Sequence, residues 1–429
     1  MSTRFRIKEL RCQSGERLPL LLDRATGVPL WDPTLFLITE LRAKNRASAT
    51  LAQAARAIMV GHLALAYMGV NLTQRISEGK LLDLAEIDVL AGLAGLPQEA
   101  LEALLDDETT RQAAPKVSSL SKVRMGKFQE AAANVASETK AIRLMYIRDY
   151  FAWLASRRIL ALDINHEQQH ALSAITHLVV KRIAARIPSG ERKNGLNQRQ
   201  GLPPEVRKRM LEVIDRNSPE NPWKNAHARL RNELIVHWLL YLGPRRGELL
   251  GLYTTDANLR VGEVRIARRP DDTADTRKVA ANSKTKSRLL ALGPELMELT
   301  RMYIMGPRAA MPGARRHPFL FVATGTGKPL TTSALNKIFR ELRTKVPGLT
   351  DDLSPHVLRH TWNDDFSELM DSQGVSSQDE ERMRKQVMGW SDKSIMPAHY
   401  TRRHVQRKSN EASMAMQSKS FKSGPKESG

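Results

Sequence analysis

Apolar residues recur at steps of three and four through most of this chain, which predicts a mainly α-helical protein. From 31 to 163 the pattern is almost wholly helical: an alanine-rich segment at 48–68, then 81–93, 98–105 and a long run at 137–158. In the last of these Leu144, Ile147, Phe151 and Leu154 share one face and predict a core contact. Another helix is expected at 166–187, after which Pro188-Ser189-Gly190 and the glycines and polar residues up to Pro204 mark a linker. Beyond it the pattern predicts helices at 205–216 and 226–241, the second stopped by Gly243-Pro244. Short apolar runs predict strands at 260–267 and 288–292, with 319–322 a candidate for another, before helices resume. The expectation is an N-terminal arm (1–30), a helical domain (31–187), a linker (188–204), a mixed but mostly α domain with a small antiparallel sheet (205–408), and a tail (409–429).

Composition narrows the class. A chain of 429 residues with 41% hydrophobic content can build two or three cores. Its longest apolar stretch, 57–72, is interrupted by His62 and is shorter than the ~20 residues a bilayer span needs, so it reads as a buried core helix. The first residues lack the apolar stretch of a secretory signal, and no membrane partner is expected. The single cysteine, Cys12, excludes an intramolecular disulfide and a cysteine-built metal site, and fits a reducing cytoplasm. A formal charge of +21 predicts salt-sensitive attraction to a polyanion, which DNA, RNA or an acidic membrane would each satisfy.

Two local motifs point to other chemistries. His166-Glu167-Gln168-Gln169-His170 has the spacing of a zinc-protease helix, but the nearest third histidine, His177, lies ~10 Å further along the axis of a continuous helix. Gly325-Thr326-Gly327-Lys328 resembles a phosphate loop, yet Pro329 stands where a Ser or Thr must hold Mg²⁺, so a turn is expected.

A third constellation spans the second domain. Arg245 lies in Gly243-Pro244-Arg245-Arg246-Gly247-Glu248-Leu249, and Lys284 in Ser283-Lys284-Thr285 of a basic hairpin-like stretch. His356 and Arg359 lie in Pro355-His356-Val357-Leu358-Arg359-His360, Trp390 follows Met388-Gly389, and Tyr400 comes last. These residue types suffice to cut a phosphodiester without metal. A phenol supplies the nucleophile once nearby cations lower its usual pKa of ~10. Two planar guanidinium groups bind phosphate oxygens in a fork and hold them harder as charge builds. An ammonium crowded by other cations can release a proton to the leaving oxygen, and an imidazole can orient an oxygen or shuttle the phenol's proton.

In this order, the segment 203–403 resembles the catalytic domain of tyrosine recombinases, the phage-type integrases. Arg245 matches the family's first arginine, with Pro244 in place of the usual leucine, and Glu248 matches its supporting acid. Lys284 matches the hairpin lysine, with Lys286 the competing choice. His356 and Arg359 match the His-x-x-Arg box, Trp390 stands where most members have a second histidine, and Tyr400 matches the nucleophile. Two spacings depart from the pattern: a polar insert near 371–381 and a Trp390-to-Tyr400 interval about one residue longer than the family's.

The resemblance implies a core-binding domain at 31–187 and a covalent 3′-phosphotyrosyl intermediate. It also implies a homotetramer on two double-stranded DNA sites, aided by accessory recombination proteins, with no cofactor and no metal. On that reading Arg143, Arg148 and Arg157, opposite the apolar face of 137–158, are either DNA-phosphate contacts or a solvated face. The C-terminal residues 410–417 are a docking helix or a basic tail. A type IB topoisomerase or a non-catalytic DNA-binding relative stays open.

Overall fold

The computed structural model describes residues 4–106, 134–189, 201–281, 285–394, 397 and 408–418. It divides into two compact units, Met1–Asn194 and Gly195–Gly429. Lys284 and Tyr400 lie outside the described residues.

The first unit opens with an antiparallel hairpin, β1 (Phe5–Arg11) and β2 (Arg17–Asp23), in place of a plain arm. Phe5 and Leu21 enter the same core as α2 (Ser48–Tyr67), so the hairpin is part of that unit's packing. Between them run α1 (Trp31–Phe36) and its π-helical continuation Leu37–Arg42. The predicted core helix is α2, with Leu51, Ala54, Ala55 and Ile58 fully buried. Alone among the described helices, α2 is long and apolar enough to cross a membrane by length and composition, and 61% of that window is buried inside the fold. Small residues let a neighbour come close: a Cβ on Gly61 would stand 3.2 Å from Ile147 Cγ1.

Against α2 pack α4 (Leu84–Leu93), α5 (Gln98–Asp106) and α6 (Ser137–Ala161), while α3 (Leu72–Ser77) and α7 (His166–Ala184) pack on α6. Leu144, Ile147, Phe151 and Leu154 of α6 are buried, as their spacing requires. The arginines of α6 have intramolecular partners. Arg143 Nη1 donates to the carbonyls of Ala94 (3.1 Å) and Leu96 (2.6 Å), Arg148 pairs with Asp149 at 2.6 Å, and Arg157 pairs with Asp32. The histidine motif at 166–170 forms the exposed first turn of α7, capped by the Asn165 side chain, which accepts from Gln168 N. No group of three or more His, Cys, Asp or Glu among the described residues is placed to hold a metal ion.

The second unit is built on α9 (Ala226–Tyr241), which follows α8 (Pro204–Ile214). Leu234, Ile235, Val236, Trp238 and Leu239 of α9 are fully buried, so this helix is apolar on nearly every side. The short helix α10 (Arg246–Leu250) follows at once, then β3 (Ala257–Asn258), β4 (Glu263–Ile266) and β5 (Arg288–Ala291), an antiparallel sheet in the order β3-β4-β5. Next come α11 (Pro294–Tyr303), α12 (Thr332–Lys345), α13 (Pro355–Ser372) and α14 (Ser377–Met388), and residues 408–418 are helical too, where a helix was expected at 410–417; α11 and α13 pack on α9.

Residues 319–322 form isolated bridges, Tyr253 with Phe319 and Val322 with Pro329, and no ladder. The reason is a competing donor: buried Arg308 donates to the carbonyls of Phe319 (Nη2, 2.8 Å) and Leu320 (Nε, 3.1 Å). The glycine motif that follows is a turn, with Gly325 and Gly327 at φ +81° and +63° and Ala323 N bonded to Lys328 O at 2.8 Å.

The polar stretch at 371–381 spans the end of α13, its turn at Gly374 and the start of α14. It is not wholly solvated. Arg384 of α14, fully buried, donates from Nη1 to Asn363 Oδ1 (2.8 Å) and from Nη2 to Ser367 Oγ (2.6 Å) on α13, and it also pairs with Glu380. That network locks the end of α14, and so the turn carrying Trp390, against α13.

Candidate active site

Arg245 is the N-cap residue of α10, placed by the left-handed Gly243 (φ +59°) and by Pro244. The Glu248 carboxylate reaches back to accept from Arg245 N at 2.9 Å, which satisfies a helix-start donor and fixes both residues on one turn. The Arg245 side chain is 31% exposed, with Nη1 3.5 Å from Glu248 Oε1. Arg359, on the second turn of α13 and 1% exposed, donates from Nη1 to Gly243 O at 2.5 Å. The two arginines, far apart in sequence, are thus both tied to the Gly243–Glu248 turn.

Glu248 is itself fully enclosed. It accepts from Arg288 Nη2 at 2.8 Å and from the Thr285 hydroxyl. Burial alone would raise its carboxyl pKa. The Arg288 hydrogen bond and charge, the Thr285 bond and the Arg359 charge outweigh that and hold it down at about 2. One carboxylate among three guanidinium groups leaves positive charge in excess around the partly exposed Arg245, which suits an anion such as phosphate.

Trp390 is buried against Met388 and Trp362, with the Arg359 guanidinium 5.6 Å from its ring centroid, within cation–π range. It therefore walls Arg359. The turn before it is joined to the sheet arm: Gly389 (φ +66°) accepts at its carbonyl from Lys286 N at 3.1 Å. Lys286 points outward, its side chain 64% exposed and its Nζ 3.7 Å from Asp392 Oδ2. A cleft of about 390 Å³ beside this turn is lined by Lys286, Arg288, Arg382, Lys385, Trp390 and Asp392 among others. His356, exposed on the first turn of α13, meets His360 one turn on, Nε2 to Nε2 at 3.2 Å.

Arg245, Glu248, Arg359 and Trp390 are therefore linked through shared contacts, and His356 is set on the helix that carries Arg359. Arg288, Thr285 and His360 join the set without having been assigned roles from sequence. Arg288 was detectable: it alternates in phase with the apolar Leu290 on β5, and a charge on the inner face of a strand demands a buried counter-charge.

The phage integrase family matches residues 202–407. Among curated proteins, the tyrosine recombinase XerD of Halalkalibacterium halodurans is 25% identical over 163 residues, covering 37% of this chain and 49% of that protein. XerD of Ralstonia nicotianae is 28% identical over 160 residues, covering 37% and 47%. The chain thus spans about half the length of the curated relatives it matches. Among solved structures, the XerH site-specific recombinase bound to a palindromic difH substrate aligns with a TM-score of 0.41 at 18% identity, over 80% of this chain and 96% of that one. Every described residue of the site falls inside residues 202–407, the segment that matches the phage integrase family and is similar to the tyrosine recombinases named above.

Proposed function

We propose that this protein is a site-specific DNA recombinase or integrase that cuts and rejoins double-stranded DNA through Tyr400. The observation that carries the reading is the attachment of Arg245 and Arg359 to one turn around the depressed carboxyl of Glu248. Such an arrangement gives a preorganised cationic cradle, which is what a phosphoryl transition state needs. In the proposed reaction the Tyr400 phenolate attacks phosphorus and forms a 3′-phosphotyrosyl bond while the bond to the 5′ oxygen breaks. Lys284, or Lys286 two residues on, gives that oxygen its proton. His356 orients a phosphate oxygen or takes the phenol's proton, and the Trp390 indole N–H donates to phosphate. The phosphotyrosine keeps the energy of the broken ester, so rejoining needs no nucleotide, cofactor or metal.

The relatives' name and the net charge of +21 support a DNA substrate. We assign the working form to a homotetramer on two synapsed sites, with accessory recombination proteins, acting on a mobile element in the bacterial cytoplasm or nucleoid. Trapping on a nicked suicide substrate tests this. The wild type should form a covalent adduct, and Tyr400→Phe should lose it while binding DNA with nearly unchanged affinity. Persistence of the adduct would show the nucleophile to be another residue. Supercoil relaxation with no preferred sequence would identify a type IB topoisomerase instead, and binding without any adduct an accessory protein.

A further inference from the structure

Helix α7 carries two apolar faces. Leu172, Thr176, Val179 and Ile183 are buried and pack it into the first unit. One such stripe is enough for a helix on the outside of a core, and the rest of its surface is expected to be polar. One flank is polar: His170, Ser173, His177 and Lys181 are exposed. The face away from the core is not. Ala171, Ala174, Ile175 and Leu178 stand on it, all exposed, with Ile175 at 39% and Leu178 at 52%. At ~3.6 residues per turn these four fall, together with Glu167 and Arg182, within a sector of about 100°.

Exposed leucines scattered singly are ordinary, but this stripe is bounded at its two ends by opposite charges. Glu167 and Arg182 are both exposed, and neither has an ion-pair partner among the described residues. Their placement is self-complementary. Reversing the helix about the midpoint between Ala174 and Ile175 exchanges Glu167 with Arg182 and Ala171 with Leu178. Two copies of α7 laid antiparallel on this face therefore set each glutamate level with the other copy's arginine and seat each leucine over the other's alanine. They also bring the two Ile175 side chains together beside the two-fold axis. Alanines opposite leucines let the helix axes approach to ~8–9 Å. A parallel pair would oppose like charges instead.

We infer that the outer face of α7 is a docking surface for a second copy of this chain, closed as an antiparallel α7 pair about a two-fold axis. One helix pair is smaller than a standard interface, so the contact is weak and exchanges in solution. Copies held side by side by another tether would be driven onto it by their raised local concentration. The homotetramer proposed above needs contacts between copies, but the inference does not rest on that reading, because it is tested on the protein without DNA.

Cys12→Ser removes the chain's one cysteine. In that full chain, Ile175→Cys should form a disulfide-linked dimer on oxidation, since helix axes at that spacing put the two Cα atoms ~6 Å apart. Ser173→Cys, exposed on the polar flank, should crosslink roughly tenfold more slowly. Glu167→Arg or Arg182→Glu, added to Ile175→Cys, opposes like charges twice and should slow crosslinking about fivefold. Carrying both swaps should restore the rate, and that recovery excludes misfolding as the cause of the loss. Sedimentation of the Cys12→Ser chain gives a readout with no crosslink: average mass should rise with concentration, and Leu178→Asp should hold the chain at monomer mass. A chain that stays monomeric at every concentration, equal crosslinking at the two cysteine positions, a double swap that does not recover, or association that Leu178→Asp leaves unchanged each overturns the docking surface.

Discussion

Arg288 Nη2 donates to Glu248 Oε2 at 2.8 Å, and the two side chains are only 2% and 0% exposed. The pair joins the first strand position of β5 to the turn that presents Arg245. Removing one partner strands a buried charge, so Arg288→Met, which leaves the carboxylate, and Glu248→Gln, which leaves the guanidinium, should each cost about 3–5 kcal/mol by chemical denaturation. The acid dependence has a definite sign. Folded Glu248 titrates at about 2 against an ordinary 4.5, so its contribution is complete above 4.5 and is lost as pH falls toward 2. Arg288→Met should remove that acid-dependent loss; a wild-type slope in the variant would show that Arg288 does not hold the carboxyl down.

Gly389 sits at φ +66° with its ideal Cβ position 2.9 Å from both Lys286 O and Arg288 Nη1. Gly374 has the same kind of backbone (φ +67°) with nothing within 4 Å of its Cβ position. Gly374→Ala should therefore report backbone strain alone, about 1 kcal/mol. Gly389→Ala should cost distinctly more and slow DNA cleavage, because the Lys286-to-Gly389 contact that ties the sheet arm to the Trp390 turn must open. Equal penalties for the two would mean that this contact yields freely.

In the proposed reaction Lys284 and Lys286 are the two choices for general acid. The side chain of Lys286 is largely exposed and faces Asp392, a poor setting for delivering a proton to a phosphate ester. Lys284→Ala should slow cleavage strongly and recover on a substrate whose 5′ leaving atom is sulfur, which needs little protonation. Lys286→Ala should show a small defect and no rescue. Rescue confined to Lys286→Ala would shift the acid by two residues.

Helix positions were readable because burial imposes a period: α9 was expected at 226–241 and is found at Ala226–Tyr241. The order of Arg245, Glu248, His356, Arg359 and Trp390 singled them out along the chain, and the fold brings Arg245, Glu248, Arg359 and Trp390 into one set of contacts. What escaped were non-local partners. Nothing local says that Arg308 takes the carbonyls of Phe319 and Leu320, where a strand was a candidate. Arg143 reads as a surface charge in a helical repeat but donates to Ala94 and Leu96 carbonyls, since the end of α4 needs donors that only the fold brings close. The β1–β2 hairpin was hidden because Leu20, Leu21 and Leu22 run together where a half-buried strand would alternate.

His62, in the middle of α2, and His227, on α9, make stability fall on mild acidification. Burial pushes the His62 imidazole down to about 4, with Asp32 opposing and Arg4 adding to the effect; burial and then the Arg231 charge push His227 to about 4 as well. The unfolded chain takes up a proton at each ring near 6.5, but the folded chain resists until about 4, so folding loses free energy as pH drops through that window. Between pH 7 and pH 5 each ring should cost about 2 kcal/mol. His62 Nε2 lies 3.3 Å from the Tyr150 hydroxyl, so His62→Leu should lower stability at pH 7 by about 1–3 kcal/mol through the lost bond. The same variant should flatten the pH dependence of the N-terminal unit, measured as denaturation midpoints at the two pH values. A His62→Leu protein that keeps the full slope would show that this ring is not held neutral in the core.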